Sequence, residues 1–446
     1  MMALSQATKI LNGTQIGNDV EFSDVSTDTR SLKKGDLYIA LKGDSFDGHD
    51  YIERAQKAGA IAAIVHEDVV TDLPVVKVDD TRKALGGLAA AWRQSFGGKV
   101  VAITGSNGKT TVKEMVSAIA ARQGEVLATR GNFNNDIGLP LTLLRMEHED
   151  FAVIEMGANH PGEISNLTHI TKPDVALINN AGPAHLEGFG SLKGVAQAKG
   201  EIYQGLSNDG VVVLNKDDGF ATYWTELSGG KRIVSFSMKD KSASVYGEWQ
   251  QNDNGGTLSV ITGDENFVIN LKVYGLHNAM NALAAIAVAK ALDMNSSFIV
   301  KALDEFVAVK GRLNFHKVGN NLTLIDDTYN ANPASLDAGI KVLAELPGQH
   351  WLVLGDMGEL GDDERRVHFD AGMKARTSGV TRLLTIGEAS RHAADAFGEN
   401  AQSFKTKDEL VSFIKDHQSE ELGILVKGSR FMHMEQIVES IIKGST

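Results

Sequence analysis

The chain has 446 residues, 42% hydrophobic and 23% charged, the make-up of a globular protein too long for one core; at about 150 residues per domain it divides into three. It has no cysteine, which excludes disulfides, thiolate catalysis and cysteine-ligated zinc, and its net charge of −13 argues against nucleic acid, whose phosphates are held by basic surfaces. No apolar run approaches the ~20 residues of a membrane span and residues 1–9 lack a signal-peptide core, so a cytoplasmic protein is expected.

In the first stretch, short strands at 37–41, 60–65 and 75–78 alternate with helical patterns over 50–58 and 81–96. This predicts a small α/β domain over residues 1–97. Gly97-Gly98 makes a hinge, and the apolar strand that follows runs into Thr104-Gly105-Ser106-Asn107-Gly108-Lys109-Thr110-Thr111. Strand, glycine turn and helix in that order form a triphosphate cradle. The glycines let backbone N–H groups face phosphate oxygens, Lys109 supplies a mobile cation, and the Thr110 hydroxyl offers a Mg²⁺ ligand. The helix after it, about 109–122, turns its positive end to the same anion. Ile103 stands where the widespread P-loop has its first glycine, so the spacing departs from that pattern.

A central domain over 98–309 continues with strands at 151–154, 175–178 and 211–214, interleaved with helices, as in a mostly parallel sheet that binds ligands at its strands' carboxyl ends. Glu155 closes the first of these, where a carboxylate could complete a Mg²⁺ site with Thr110; a solvated strand-end acid is the plain alternative. His185 lies in the loop after the second, open to a metal role or an ordinary surface one. Lys199 sits on a helix of small residues and, by itself, reads as an exposed helical lysine. Alternation between 231 and 273 predicts an antiparallel β patch. His277-Asn278-Ala279-Met280-Asn281 then opens a strongly apolar helix, where helix capping and phosphate contact are compatible.

A second hinge near Val309-Lys310-Gly311-Arg312 leads into a third α/β domain, 310–446, with strands at 322–325, 351–354, 383–386 and 424–426 and a closing helix near 432–442. It is dinucleotide-fold-like but has no G-x-G-x-x-G fingerprint. Asp326-Asp327-Thr328-Tyr329-Asn330-Ala331-Asn332-Pro333 ends one strand with acids, amides and a ring, and Lys427-Gly428-Ser429-Arg430 ends another with two cations suited to a ligand carboxylate. One rival reading comes from Asn215-Lys216-Asp217-Asp218, which fits the N-K-x-D guanine signature of a GTP-binding regulatory protein. The D-x-x-G switch that should precede it is missing.

Taken together these positions resemble the Mur ligase family over essentially the whole chain. The match runs in order through 104–111, Asn132-Phe133-Asn134-Asn135-Asp136-Ile137-Gly138, Glu155, His185, Lys199, 277–281 and Gly311-Arg312. Within the family, 327–333 and Gly355-Asp356-Met357-Gly358-Glu359-Leu360-Gly361 are similar to the ligase that adds D-alanyl-D-alanine to UDP-N-acetylmuramoyl-tripeptide. Another ligase of the same architecture, a different Mur step or folylpolyglutamate synthase, is the alternative.

The resemblance implies ATP-driven amide formation through an acyl phosphate, by a monomer, with ATP and Mg²⁺. It gives Lys109 to the β- and γ-phosphates, Thr110 and Glu155 to one Mg²⁺, and His185 to a second. Lys199 becomes a carbamate that faces that metal. Gly105, Ser106, Asn107, Gly108, Thr111, Asn278, Asn281 and Arg312 would touch the nucleotide, with Asp326 on the ribose. Thr27, Asp28, Arg30, Phe46, Asp47, His49, Asn134 and Asn135 would hold the UDP substrate, and Asp327, Tyr329, Asn330, Asn332, Lys427 and Arg430 the dipeptide. Ligands drawn from several domains imply a closing motion.

Overall fold

The apolar runs between turn residues assemble, in the computed structural model, into three larger sheets and one two-stranded ribbon. The structure describes residues 1–252, 254–263, 265–319, 321–417 and 421–443. The fold is α/β throughout, with mostly parallel sheets.

The central sheet has nine strands. In spatial order they are Glu265–Leu271, Gly255–Thr262, Val245–Asn252, Ile233–Ser237, Val211–Asn215, Val175–Ile178, Lys99–Thr104, Phe151–Glu155 and Val126–Ala128. Val101 lies opposite Val153 on one side and Val175 on the other, both pairings parallel. Helices cover both faces here, which is why these strands read as continuous apolar runs rather than alternating ones. The expected antiparallel patch begins later than predicted. Ile233–Ser237 joins Val211–Asn215 in parallel, and only the three strands from Val245 onward pair antiparallel. Period-two alternation reports that one face is wet, not which way a strand runs. Both sheet edges carry charge. At one, Asp304 accepts the Asn270 N–H at 2.7 Å; at the other, the short strand Val126–Ala128 borders a groove lined by Arg130, Arg145 and the Lys113–Glu114 pair.

The N-terminal sheet orders Thr14–Ile16, Val75–Lys77, Ala62–Val65, Leu37–Ile39 and Val25–Ser26. Helix Thr81–Ser95 fastens it to the central sheet: the Trp92 indole N–H donates to Met146 O at 2.7 Å, and Arg93 donates to Thr171 O at 2.9 Å and Lys172 O at 3.1 Å. One apolar core runs without a break from Leu85 and Leu88 to Ile154 and Ile178. The helix Leu276–Ala291, buried along most of its length, packs against Lys109–Ala120 on the other face of the central sheet.

The C-terminal sheet orders Asn314–Val318, Leu322–Asp327, Leu422–Lys427, Gln349–Gly355, Arg382–Ile386 and Ala401–Phe404, all parallel except the first. Register places Asp327 beside Lys427, so both end at the sheet's carboxyl edge. Among the described residues no helix is long and apolar enough to cross a membrane.

Candidate active site

The phosphate loop follows the central strand Lys99–Thr104 and precedes helix Lys109–Ala120. Gly108 adopts φ +79°, and a Cβ there would lie 2.3 Å from Asn281 Oδ1, so glycine is required on both counts. The loop is stitched to the turn after Val175–Ile178. The Ser106 and Asn107 N–H groups donate to Asn180 O and Oδ1 at 3.0 and 2.9 Å, and the Asn179 and Asn180 amides donate to Asn107 O at 2.9 and 3.0 Å. Lys109 Nζ donates to Gly105 O at 2.7 Å; burial lowers its pKa, opposed by the Glu155 carboxylate.

Glu155 is 3% exposed, accepting from Thr110 Oγ1 at 2.9 Å and Asn134 Nδ2 at 2.8 Å. It has no ion pair among the described residues. A buried carboxylate beside a hydroxyl, without a cationic side chain paired to it, is the hard oxygen donor set that a divalent cation prefers. Beyond the loop, His185 Nδ1 lies 2.5 Å from a Glu359 oxygen, and its ring meets Phe189 edge-on. Lys199 Nζ sits 5.6 Å over that same Phe189 ring. At 1% exposure Lys199 is not the surface lysine its helix suggested; burial first, and the Lys109 ammonium second, pull its pKa down to about 7.

Two cavities open here. The larger, about 700 Å³, is walled by the phosphate loop, Glu155, His185, Glu359 and the 329–332 segment of the C-terminal domain. The smaller, about 250 Å³, lies between Asn278, Asn281 and His277 on one side and Arg312, Asp327 and Lys427 on the other. Arg312 spans the junction, donating to Thr110 Oγ1 at 3.3 Å with its guanidinium 4.1 Å over the Tyr329 ring. Asn332 Nδ2 donates to Asn107 Oδ1 at 2.8 Å. Lys427 Nζ is 2.5 Å from Asp327 and 3.0 Å from Asn330 O, both beside the cavity.

Known proteins share this chain's sequence and fold. Family models described as Mur ligase family, catalytic domain, Mur ligase middle domain, and Mur ligase, glutamate ligase domain match residues 21–93, 103–289 and 311–430. The chain belongs to the Mur ligase family. It is 43% identical to the UDP-N-acetylmuramoyl-tripeptide--D-alanyl-D-alanine ligase of Escherichia coli strain K12, covering 100% of this chain and 99% of that one, and 38% identical to the Bacillus subtilis strain 168 enzyme of the same name, covering 94% and 93%. A crystal structure of MurF from Acinetobacter baumannii superposes with TM-score 0.92 at 36% identity, covering 98% of each chain. MurF ligase from Thermotoga maritima in complex with ADP gives 0.86 at 26%, covering 96% of this chain and 99% of that one.

Not every residue that the sequence singled out borders these cavities. Asp326 does not line the smaller cavity: its Oδ1 takes the Thr328 N–H and hydroxyl at 3.2 and 2.6 Å, because alternation along the strand sends it to the face opposite Asp327. Asp327 lines that cavity instead. None of Thr27, Asp28, Arg30, Phe46, Asp47 or His49 borders either cavity. Asp28 pairs with Arg30, and His49 is a buried peg, its Nδ1 2.6 Å from Asp47 and its Nε2 accepting the His66 N–H at 3.1 Å. Burial first, and then the Asp28 and Asp47 carboxylates among its neighbours, push the Tyr38 phenol up to about 12. Asn135 lines the larger cavity but also caps the turn at Ile137 and Gly138, Asn332 caps helix Pro333–Ala344, and Arg430 pairs with Glu435 beside Tyr329.

The guanine signature is used up in packing. Asn215 Nδ2 donates to Asn179 O at 3.1 Å, Asp217 takes the Ser237 hydroxyl, and Asp218 takes the Ala181 N–H at 2.9 Å. Asn215 and Asp218 thereby brace the turn that carries Asn179 and Asn180, a role sequence reading missed, while Asp217 holds the end of strand Ile233–Ser237. Their signal was position: they follow the strand adjacent to Val175–Ile178. Glu359 and Arg82, which also border the larger cavity, were missed as well.

Proposed function

We propose that this chain is the ATP-dependent ligase that joins D-alanyl-D-alanine to UDP-N-acetylmuramoyl-tripeptide, completing the muramoyl-pentapeptide precursor of peptidoglycan, as a cytoplasmic monomer. Residues 1–97 serve the UDP substrate, 98–309 the ATP, and 310–446 the dipeptide and nucleotide closure. The observation that carries this is that the phosphate loop and the 329–332 segment open onto one cavity, so phosphoryl donor and amine acceptor can share a space.

The tripeptide's terminal carboxylate displaces ADP from the γ-phosphoryl group, giving an acyl phosphate; the dipeptide amine then displaces phosphate through a tetrahedral intermediate. Every reactant in the first step is an anion, so the cost to overcome is repulsion. Lys109 places an ammonium at the β- and γ-phosphates, while loop N–H groups and the start of helix Lys109–Ala120 hold the rest. Thr110 and Glu155 would hold Mg²⁺, with His185 and a carbamate on Lys199 toward a second ion; when bound, these cations neutralise charge on the transferring group. Arg312 clamps the nucleotide from the C-terminal side, with Asn278 and Asn281 at its base and Asp327 at its ribose. Asn134 orients Glu155. Tyr329, Asn330, Asn332, Lys427 and Arg430 bring up the dipeptide.

The test is phosphate release by purified protein given ATP and UDP-muramoyl-tripeptide, comparing D-alanyl-D-alanine with D-alanine. Release that needs the dipeptide is expected. Equal release with D-alanine, or release independent of the UDP substrate, overturns the reading.

A further inference from the structure

Arg82 stands in the first turn of helix Thr81–Ser95, where Asp80 caps the helix by accepting the Arg82 and Lys83 N–H groups at 2.8 and 3.0 Å. Among the described residues it is the one contribution of residues 1–97 to the lining of the 700 Å³ cavity. Its helix is bolted to the central domain through Trp92 and Arg93, so the backbone of Arg82 keeps a fixed place relative to Glu155 and the phosphate loop. Its partner is Asp136, at 3.2 Å, in the segment whose Asn134 orients Glu155. Both side chains are substantially open, Arg82 at 49% and Asp136 at 40%, and an exposed pair of this kind is weak and easily exchanged.

The cavity needs a cation there. Lys109 lies on the phosphate loop, and Arg312 and Arg430 come from the C-terminal domain, while Asp136, Glu155, Glu163 and Glu359 set acids among the asparagines of the remaining wall. A substrate that reaches from the N-terminal domain to Lys109 must carry its own negative groups past those acids. We propose that Arg82 is a substrate-recognition residue, exchanging Asp136 for an anionic group of the UDP-muramoyl-tripeptide, either its diphosphate or a peptide carboxylate. Arginine suits either, since its planar fork grips two oxygens at once. This rests on the function proposed above.

Steady-state phosphate release with the whole chain tests it. Arg82→Ala should raise KM for the UDP substrate by about tenfold or more, leave kcat within about threefold, and leave KM for ATP and dipeptide unchanged, with Arg82→Lys in between. Asp136→Asn, which breaks the same ion pair, should not raise that KM. Inhibition by UDP and by muramoyl-tripeptide lacking UDP separates the two sources: the inhibitor that weakens against Arg82→Ala carries the recognised group. A KM within twofold of wild type in Arg82→Ala, an equal rise in Asp136→Asn, or undiminished inhibition by both compounds overturns the inference. Wild-type chain that fails to turn over the UDP substrate would instead defeat the functional reading beneath it.

Discussion

Lys199 shows how burial decides what a residue type means. An ammonium enclosed at 1% exposure, over the Phe189 ring and in the field of Lys109, is destabilised until its pKa is about 7, so much of it is a neutral amine near neutrality, the form that attacks CO₂. Lys199→Ala should lose phosphate release by about a hundredfold or more and regain it with short-chain carboxylic acids; unchanged activity would sink the role. His277 gives a second expectation at this scale. Burial, then Lys427, lowers its pKa to about 4 against Asp327, while the unfolded chain takes up the proton near 6.5. The folded form thus binds fewer protons. Its contribution is whole above about pH 6.5 and is lost as pH falls toward 4, amounting to roughly 1–3 kcal/mol. Urea midpoints at pH 7.5 and 5.0 should fall further apart in wild type than in His277→Gln, and equal differences would refute it.

At the scale of elements, helix Pro333–Ala344 joins stability to function through one amide. Asn332 Oδ1 accepts the Ser335 N–H at 2.9 Å, while Nδ2 of the same side chain donates to Asn107 Oδ1 in the phosphate loop. Asn332→Ala should cost about 1 kcal/mol of stability and also weaken ATP binding, whereas Ser335→Ala should cost stability with nucleotide affinity kept. Calorimetric titration of both variants checks this, and matched ADP affinities would count against it. The strands, the phosphate loop, Thr110 and Glu155 were legible in the sequence because each is written locally, as an apolar run closed by a characteristic polar residue. Asn179, Asn180, Asn215 and Asp218 were not, since their bonds depend on which strands lie side by side. That Asp327 rather than Asp326 borders the smaller cavity was not legible either, because the two acids are adjacent and only the strand's phase separates them. Arg82 is one charge on a helix; nothing local marks it.

Across the whole molecule the two junctions differ in kind. The first two domains share one apolar core, while the C-terminal domain meets the centre through the Tyr274–Phe315 ring stack and a set of polar contacts, Arg312 to Thr110, Asn332 to Asn107 and Glu359 to His185. A junction of that sort opens at little cost, so the C-terminal domain is the part expected to swing. X-ray scattering should show a smaller radius of gyration when a non-hydrolysable ATP analogue and the UDP substrate are both bound, and an identical envelope with and without them would speak against closure. The guarded edges of the nine-stranded sheet have a consequence of their own. Copies that collide at high concentration cannot easily zip together strand to strand, because one flank has its outward amide taken by Asp304 and the other is a short strand with Arg130 and Arg145 beside it. Asp304→Ala frees that amide, and its solutions should turn cloudy on gentle warming before wild type does; matching turbidity curves would mean that the charge at this flank is not what keeps neighbouring molecules from polymerising.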